Sequence, residues 1–347
     1  MIALRFLGGA FGLALFVAAA VRYGRRDVSR LNLIITALVA IAVILLAIAP
    51  SLFNPVFDLF NFRPGGQRRL VAVLLFADIL VFALLFRNMA YTDSVIRNVR
   101  LLIESLAVQS FDWSQTEALP RGDRIVVTMP AHNEQDNVGE VIRAMPKEVE
   151  GIPVVTLVVD DASEDGTSVA AQRAGGMVVR LPIRRGQGSA LRVGYEMATR
   201  LGAVAVASLD ADGQHIPDEL PLVVTPVLKG EADMVVGSRV LGQFEKESTV
   251  RHLGIFVLSG MVSLLHGVRV TDVSSGFRGI KADVLRRFVL EQDQYSSEVL
   301  VEALRHRIRI KEVPITVRAR ASGVSKKPTS LKYGWNFTKV MVQTWLR

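Results

Sequence analysis

At 347 residues the chain has room for one sizeable soluble domain and a smaller module. Half of its residues are apolar and its mean hydropathy is +0.34, too greasy for a wholly water-soluble protein, and with no cysteine it excludes disulfides, thiolate metal sites, iron–sulfur clusters and cysteine nucleophiles. The formal charge of +8 would suit nucleic acid, anionic lipid or a phosphorylated substrate; eleven Lys or Arg against one acid, Glu312, from residue 303 onward point on such a chain to lipid phosphate rather than nucleic acid.

Residues 2–21 carry one charge, Arg5; residues 31–53 carry none; residues 70–86 are interrupted by Asp78. The first two stretches are long enough to cross a bilayer as helices and the third is borderline, so the sequence predicts three transmembrane helices in a module of residues 1–112. Arg22, Arg25 and Arg26 stand where a cleaved signal peptide would need small residues. With Arg30 they place the first connection in the cytoplasm, as do Arg87, Arg97 and Arg100 for the segment after the third span, while Arg63, Arg68 and Arg69 argue the other way. Gly8 and Gly12 form a G-x-x-x-G face that lets two helices approach closely, which leaves a homo-oligomer through this module open. Asp78 is costly in lipid and should face protein, water or a partner. Val95, Val99, Leu102, Ile103 and Leu106 recur at helical spacing, predicting an amphipathic juxtamembrane helix or one packed on the next domain. Residues 113–123 are polar and irregular and read as a linker.

From residue 124 strand-like runs alternate with helix-like ones: RIVVTMP, then residues 137–145; VVTLVVD, then 167–174; MVVRLP, then 189–200; AVAVASLD, then 218–228; ADMVVGS. In the first of these helices Val138, Val141, Ile142 and Met145 fall at i, i+3, i+4 and i+7, which gives one buried face. The alternation predicts an α/β fold with a mostly parallel sheet sandwiched by helices over residues 124–330. Ligands of such sheets bind at the carboxyl ends of the strands, and the polar motifs fall there: PAHNE, DDASEDGT, RRGQG, DADGQ and GSR, one after each strand in turn.

No G-x-G-x-x-G or G-x-x-x-x-G-K is present, so neither a dinucleotide fold nor a P-loop is supported. The cleft is lined instead with acids: Glu134, Asp160, Asp161, Asp165, Asp210 and Asp212. Carboxylates at strand ends can take donors of a base and ribose and can hold a cation, without which they would repel a diphosphate. In DADGQ, Asp210 and Asp212 follow a buried strand one residue apart and are expected to project on the same side and share one hard divalent ion. A calcium loop is excluded, because Gly213 and Glu219 stand at the wrong positions.

The ordered set PAHNE, VVDDASEDGT, LDADGQH, GSR, DVSSGFRG, the EVP of Glu312 to Pro314, and ASGVSK resembles family 2 glycosyltransferases, closest to the polyprenyl (dolichol) phosphate mannosyl- and glucosyltransferases, over residues 124–327. The resemblance implies a GT-A fold and transfer of a sugar from a nucleotide-diphospho-sugar, GDP-mannose or a UDP-hexose, to polyprenyl phosphate at the cytoplasmic face of a prokaryotic plasma membrane. It implies that Pro130, His132, Glu134 and Asp161 border the base and ribose, and that Asp210, Asp212 and Gln214 hold the diphosphate through Mg²⁺ or Mn²⁺. Arg239 and Arg278, with Ser325 and Lys326, would meet donor and acceptor phosphates. The family often has a lysine between two glycines where this chain has Gln187 between Gly186 and Gly188, so Arg185 is the candidate for that charge.

Plainer roles stand beside these. Asp160 more often fixes a loop than touches a ligand; Arg278 could pair with Asp272 as a brace; Glu298 and Glu302 read as a solvated helix face. His252 and His266, read as packing or interfacial rather than catalytic, flank a helix-like stretch, residues 251–270, too short to span; it is a core helix or, the favoured reading, one at the headgroup level near the acceptor. Residues 331–347, with Tyr333, Trp335, Trp345 and lysines, have the character of an interface anchor. A processive polysaccharide synthase is the competing enzyme reading, but Q-x-x-R-W is absent; a catalytically silent scaffold is the competing non-enzyme reading, against which the intact D-x-D-G-Q counts.

Overall fold

In a computed structural model, residues 2–24, 30–53, 55, 67–117, 119, 122–244, 249–291, 298–318 and 338–339 are described. Ser325, Lys326 and most of the expected interface tail, residues 331–347, lie outside them. The chain divides into two compact units, Met1–Val95 and Ile96–Arg347.

The first unit holds α1 (Ile2–Gly24), α2 (Arg30–Ile48), a 3-10 turn (Pro50–Phe53) and the beginning of α3 (Gln67–Gln109). α1 and α2 pair closely through glycine. A Cβ on Gly12 would stand 2.6 Å from Ile44 Cγ1 and 3.0 Å from the Ala40 carbonyl oxygen, and one on Gly8 would stand 3.0 Å from Ala47 Cβ. Residue 8 opposite 47 and 12 opposite 40 to 44 makes the pair antiparallel, so the G-x-x-x-G face is used within the chain rather than left for a second copy. Phe6 (79% exposed), Leu7, Phe11 and Leu38 point outward, and Asp78 is exposed on α3. Among the described residues no helix is long and apolar enough to cross a membrane, so the three expected spans gain no support from the structure.

The second unit is a three-layer α/β sandwich. Its strands are β1 (Arg124–Ala131), β2 (Glu148–Val149), β3 (Ile152–Asp160), β4 (Met177–Arg180), β5 (Ala203–Ser208), β6 (Met234–Phe244), β7 (Arg278–Lys281) and β8 (Ile310–Val317). Across the sheet they run β4-β3-β1-β5-β7-β6-β8, with β2 forming a hairpin on β3. β4, β3, β1 and β5 pair in parallel, β7 is antiparallel to both β5 and β6, and β6 pairs in parallel with β8. The expected mostly parallel sheet is thus present, with β7 inserted in reverse.

The helices of this unit are α4 (Val138–Arg143), α5 (Thr167–Arg173), α6 (Gln187–Arg200), α7 (Leu220–Leu228), α8 (Thr249–His266), α9 (Ala282–Leu285) and α10 (Glu298–Arg305), besides the end of α3. β1 shows why the central strands read as unbroken apolar runs: Ile125, Val127 and Met129 enter one core with α4 and α7, while Val126 enters another with α6 and the end of α3. Val138, Val141, Ile142 and Met145 are all buried, as their spacing predicts. On the last turns of α3, Ile103, Ala107 and Val108 join the core while Leu101, Leu102 and Leu106 stay exposed, so this stretch packs on the domain with one face and leaves an apolar face outside. Gly194 lets α6 lie on β1, since any Cβ there would fall 2.0 Å from Thr128 Oγ1.

The reading of Glu298 and Glu302 as a solvated face is overturned, for both are buried. Glu298 accepts the backbone N–H of Glu291 at 3.0 and 2.9 Å, and Glu302 accepts that of Val289 at 3.2 Å as well as Arg305 Nη1 at 3.1 Å. α10 turns its acids inward because they satisfy backbone donors of a segment that no strand pairs.

Candidate active site

The carboxyl ends of β1, β3, β4 and β5 bring four of the five polar loops together. β5 ends at Ser208, so Asp210 and Asp212 lie in the loop beyond it, around a turn where Gly213 has φ +73°. The alternation of strand side chains does not place them; that expectation is corrected, and the loop's own hydrogen bonds do the placing. Gln214 N donates to Asp212 Oδ1 at 3.1 Å, and Gln187 Nε2 donates to Asp210 Oδ1 at 2.8 Å. Asp210 Oδ2 accepts nothing among the described residues.

Gly276 faces that carboxylate. A Cβ there would stand 3.1 Å from both Asp210 oxygens, so the glycine keeps the space before them open. The Gln214 side chain donates to the Arg318 carbonyl at 3.3 Å, which leaves its amide oxygen as a donor atom for a cation. Two carboxylates and an amide oxygen are the hard ligands Mg²⁺ or Mn²⁺ takes, usually with water and substrate phosphate completing the set. No group of three or more His, Cys, Asp or Glu able to hold a metal occurs among the described residues.

Several expected ligand contacts are occupied by the protein itself. Asp160 is fully buried, with Oδ1 taking Ser163 N at 2.7 Å and Oδ2 bonded to Ser168 Oγ and Arg180 Nη1, bonds that fix the loop after β3. Asp165 caps α5 through Thr167 and takes Gln135 N at 3.3 Å. Glu134 accepts Asn137 Nδ2 at 2.9 Å while its N–H donates to Thr167 Oγ1 at 2.9 Å, tying the loops after β1 and β3 together. His132 Nδ1 meets the Asp161 carbonyl at 2.9 Å, and Pro130 is half-buried in β1. Asp161 takes the backbone N–H of Arg185 at 2.6 Å and of Gly186 at 2.7 Å, so it pins the loop between β4 and α6. Arg185, half-buried, sits in that loop.

The brace expected between Arg278 and Asp272 is made by Arg239 instead. Arg239 Nε donates to Asp272 Oδ2 at 2.7 Å and Nη2 to Ser274 Oγ at 3.1 Å, with the arginine side chain 9% exposed and the aspartate fully buried. Its Nη1 makes no hydrogen bond among the described residues, which leaves one donor edge for a phosphate. Glu312 backs this corner by accepting Thr271 N at 2.9 Å and Asp272 N at 3.1 Å. Arg278, opening β7, is fully buried. Burial pushes the neighbouring Tyr195 phenol above its ordinary value, partly offset by the charge of Arg278 and by Ser208.

Residues 126–291 match Glycosyl transferase family 2. Polyprenol monophosphomannose synthase of Mycolicibacterium smegmatis is 31% identical over 58% of this chain and 80% of its own. The chain belongs to glycosyl transferase family 2. A UDP-N-acetylglucosamine–dolichyl-phosphate N-acetylglucosaminyltransferase of Methanococcus voltae is 28% identical over 55% of this chain and 84% of its own. The fold is shared with glucosyl-3-phosphoglycerate synthase of Mycobacterium tuberculosis, solved with Mg²⁺ and UDP, at a TM-score of 0.53 and 22% identity over 68% of this chain and 84% of that one.

Sequence reasoning missed two residues of this family 2 site. In the sequence Gln187 stands out only for the charge it lacks, and Gly276 only as a glycine in DVSSGFRG, whose need for space shows once Asp210 is placed against it. A cavity of about 950 Å³ lies between Leu101 and Val108 of α3, Arg192 of α6 and Phe288; it is lined by none of the acids discussed above, and its own acids, Glu104 and Glu196, are each paired with an arginine.

Proposed function

We propose that this family 2 glycosyltransferase is membrane-attached and moves a sugar from a nucleoside-diphosphate sugar to a polyprenyl phosphate in a single, inverting displacement. The observation that carries the donor half is the Asp210 carboxylate: held on one oxygen by Gln187, faced on both by a glycine, Gly276, with buried Asp212 in the same short turn. The acceptor half draws support from relatives whose names specify polyprenol and dolichyl phosphate.

A bound Mg²⁺ or Mn²⁺ would neutralise the departing diphosphate. Asp210 and Asp212 would hold it, with the Gln214 amide oxygen as a further candidate ligand. Arg239, oriented by Asp272, offers Nη1 to a phosphate oxygen and so holds the acceptor in line with the anomeric carbon. Because that phosphate is already an anion, no side chain need remove a proton from it. Arg278 contributes through its field from beneath the site, while Ser325 and Lys326 are proposed at the acceptor phosphate on the strength of their motif alone.

Membrane attachment is supported by residues 31–53, which carry no charge, and by the outward apolar side chains of α1 and α2. α8 adds Phe256 and Leu264, 75% and 84% exposed, beside its buried Val262, as expected of a helix at the headgroup level near the acceptor. Catalysis at the cytoplasmic face is proposed on the arginines after the first and third apolar stretches, which outnumber the opposing Arg63, Arg68 and Arg69.

The test is transfer of labelled sugar from GDP-mannose, UDP-glucose and UDP-N-acetylhexosamines to polyprenyl phosphate by the full chain in detergent. A chloroform-soluble product is expected with one donor, lost in EDTA and lowered at least about 10²-fold in Asp212→Ala. Undiminished transfer in EDTA would refute the cation assignment, and no lipid-linked product with any donor would refute the acceptor.

A further inference from the structure

The cavity of about 950 Å³ is walled by the last turns of α3, the second half of α6 and residues 285–290. Its inner surface is apolar: Val108 and Tyr195 are buried there, with Phe288 and Leu290 half-buried. Leu101 and Val289 also line it, yet stay 57% and 52% exposed. Of the three arginines in its lining, two are neutralised in place. Arg192 Nη2 donates to Glu104 Oε1 at 2.6 Å, where Ser189 Oγ also donates at 2.8 Å, and Arg200 Nη2 donates to Glu196 Oε1 at 2.7 Å. The third, Arg286, is exposed, and its guanidinium makes no hydrogen bond or ion pair among the described residues. Apolar walls and one uncompensated positive charge among those residues therefore meet in a single concave space.

We propose that this cavity binds a membrane phospholipid of one negative charge, its phosphodiester on Arg286 and an acyl chain against Leu101, Phe288 and Val289; this rests on the membrane-attachment reading above. A guanidinium offers paired donors to phosphate oxygens, and an acyl chain removes the aliphatic walls from water. A soluble phosphorylated metabolite would answer Arg286 but leave those walls wet. A lipid without net charge would cover the walls and leave the arginine unanswered. The volume falls in the range of about 300–1,000 Å³ usual for small-molecule sites, so the space suits one chain or headgroup rather than a protein surface. The sugar acceptor is a different lipid at a different place, because its phosphate must meet the donor, and none of Asp210, Asp212 and Arg239 lines this cavity.

The experiment is native mass spectrometry of the full chain released from an uncharged maltoside detergent, with dioleoyl-phosphatidylglycerol or dioleoyl-phosphatidylcholine added in series. Wild type is expected to retain phosphatidylglycerol and to bind phosphatidylcholine about tenfold more weakly. Arg286→Ala should lower phosphatidylglycerol affinity about tenfold and leave phosphatidylcholine unchanged. Arg287→Ala, at an exposed neighbour that does not line the cavity, should change neither, and Val289→Trp, which puts bulk into the space, should weaken both lipids. Equal affinity of wild type for the two lipids overturns the proposal, as does Arg287→Ala falling as far as Arg286→Ala, or Val289→Trp binding as wild type does. A KM for polyprenyl phosphate that rises in Arg286→Ala as far as phosphatidylglycerol affinity falls would assign the cavity to the acceptor and overturn it as well. Flotation with phosphatidylglycerol vesicles in a density gradient separates the two readings. If wild type floats while Arg286→Ala retains the lipid undiminished, membrane attachment stands and this site falls; a wild-type chain that does not float removes both.

Discussion

Replacing Gly276 by alanine tests the cation site at its least obvious wall. The new methyl would stand 3.1 Å from both oxygens of Asp210 and 3.3 Å from its Cγ. Carbon and oxygen in ordinary contact stand some tenths of an ångström further apart, so the carboxylate must retreat by roughly 0.3 Å or turn. Retreat lengthens the 2.8 Å bond from Gln187, a loss of about 1 kcal/mol of stability, which for a domain of this size lowers Tm by about 2–4 °C. The catalytic effect is larger than the structural one, because misplacement by about 1 Å costs on the order of 10²-fold in rate and a few tenths accordingly about tenfold. Transfer assays across a Mn²⁺ series should show kcat/KM about tenfold down and half-saturation shifted to higher metal, with thermal unfolding nearly as in wild type. If kcat/KM and the metal requirement both stay within twofold, Asp210 does not bind the cation from the side on which Gly276 leaves it open.

Two further outcomes concern the frame of the site. Asp272→Ala strands the Arg239 guanidinium beside a void and should cost about 3–5 kcal/mol in urea unfolding, whereas a loss under 1 kcal/mol would show that the pair braces nothing. Tyr195, whose phenol is raised chiefly by burial, contributes stability that is complete below the unfolded value of about 10 and is lost as pH rises through the higher folded value. Between pH 8 and 11 wild type should therefore lose more unfolding free energy than Tyr195→Phe, and equal losses would contradict the burial of an ionisable group there.

The fold was legible where local pattern and tertiary demand agree. β1 and β3 are covered on both faces and so read as continuous apolar runs, and α4 buries one stripe and shows it as spacing. β7 was illegible: RGIK is four residues with a charge at each end, and it is a strand only because β5 and β6 offer it edges on both sides. α10 misled for the opposite reason. Its acids sit four apart, as on a wet surface, yet they answer backbone donors at residues 289 and 291 that no inspection of EVLVEALR reveals.

At the site, the motifs located the chemistry but not the division of labour among identical side chains. Asp160, Asp161, Asp165 and Asp210 all follow strands at the same end of one sheet, and nothing in their residue type separates them. Their partners do. Asp160 and Asp161 spend both oxygens within the protein, on amides, a hydroxyl and an arginine, and so become fixtures of the loops around them. Asp210 spends one oxygen, on a neutral amide 23 residues earlier, and keeps the other. Burial separates Arg278, which is fully enclosed, from Arg239, tied to Asp272 by two of its nitrogens and with a third to spare. An unspent atom on an otherwise fixed side chain is what a ligand can use, and it is a property of the hydrogen-bond network, which the order of residues along the chain does not display.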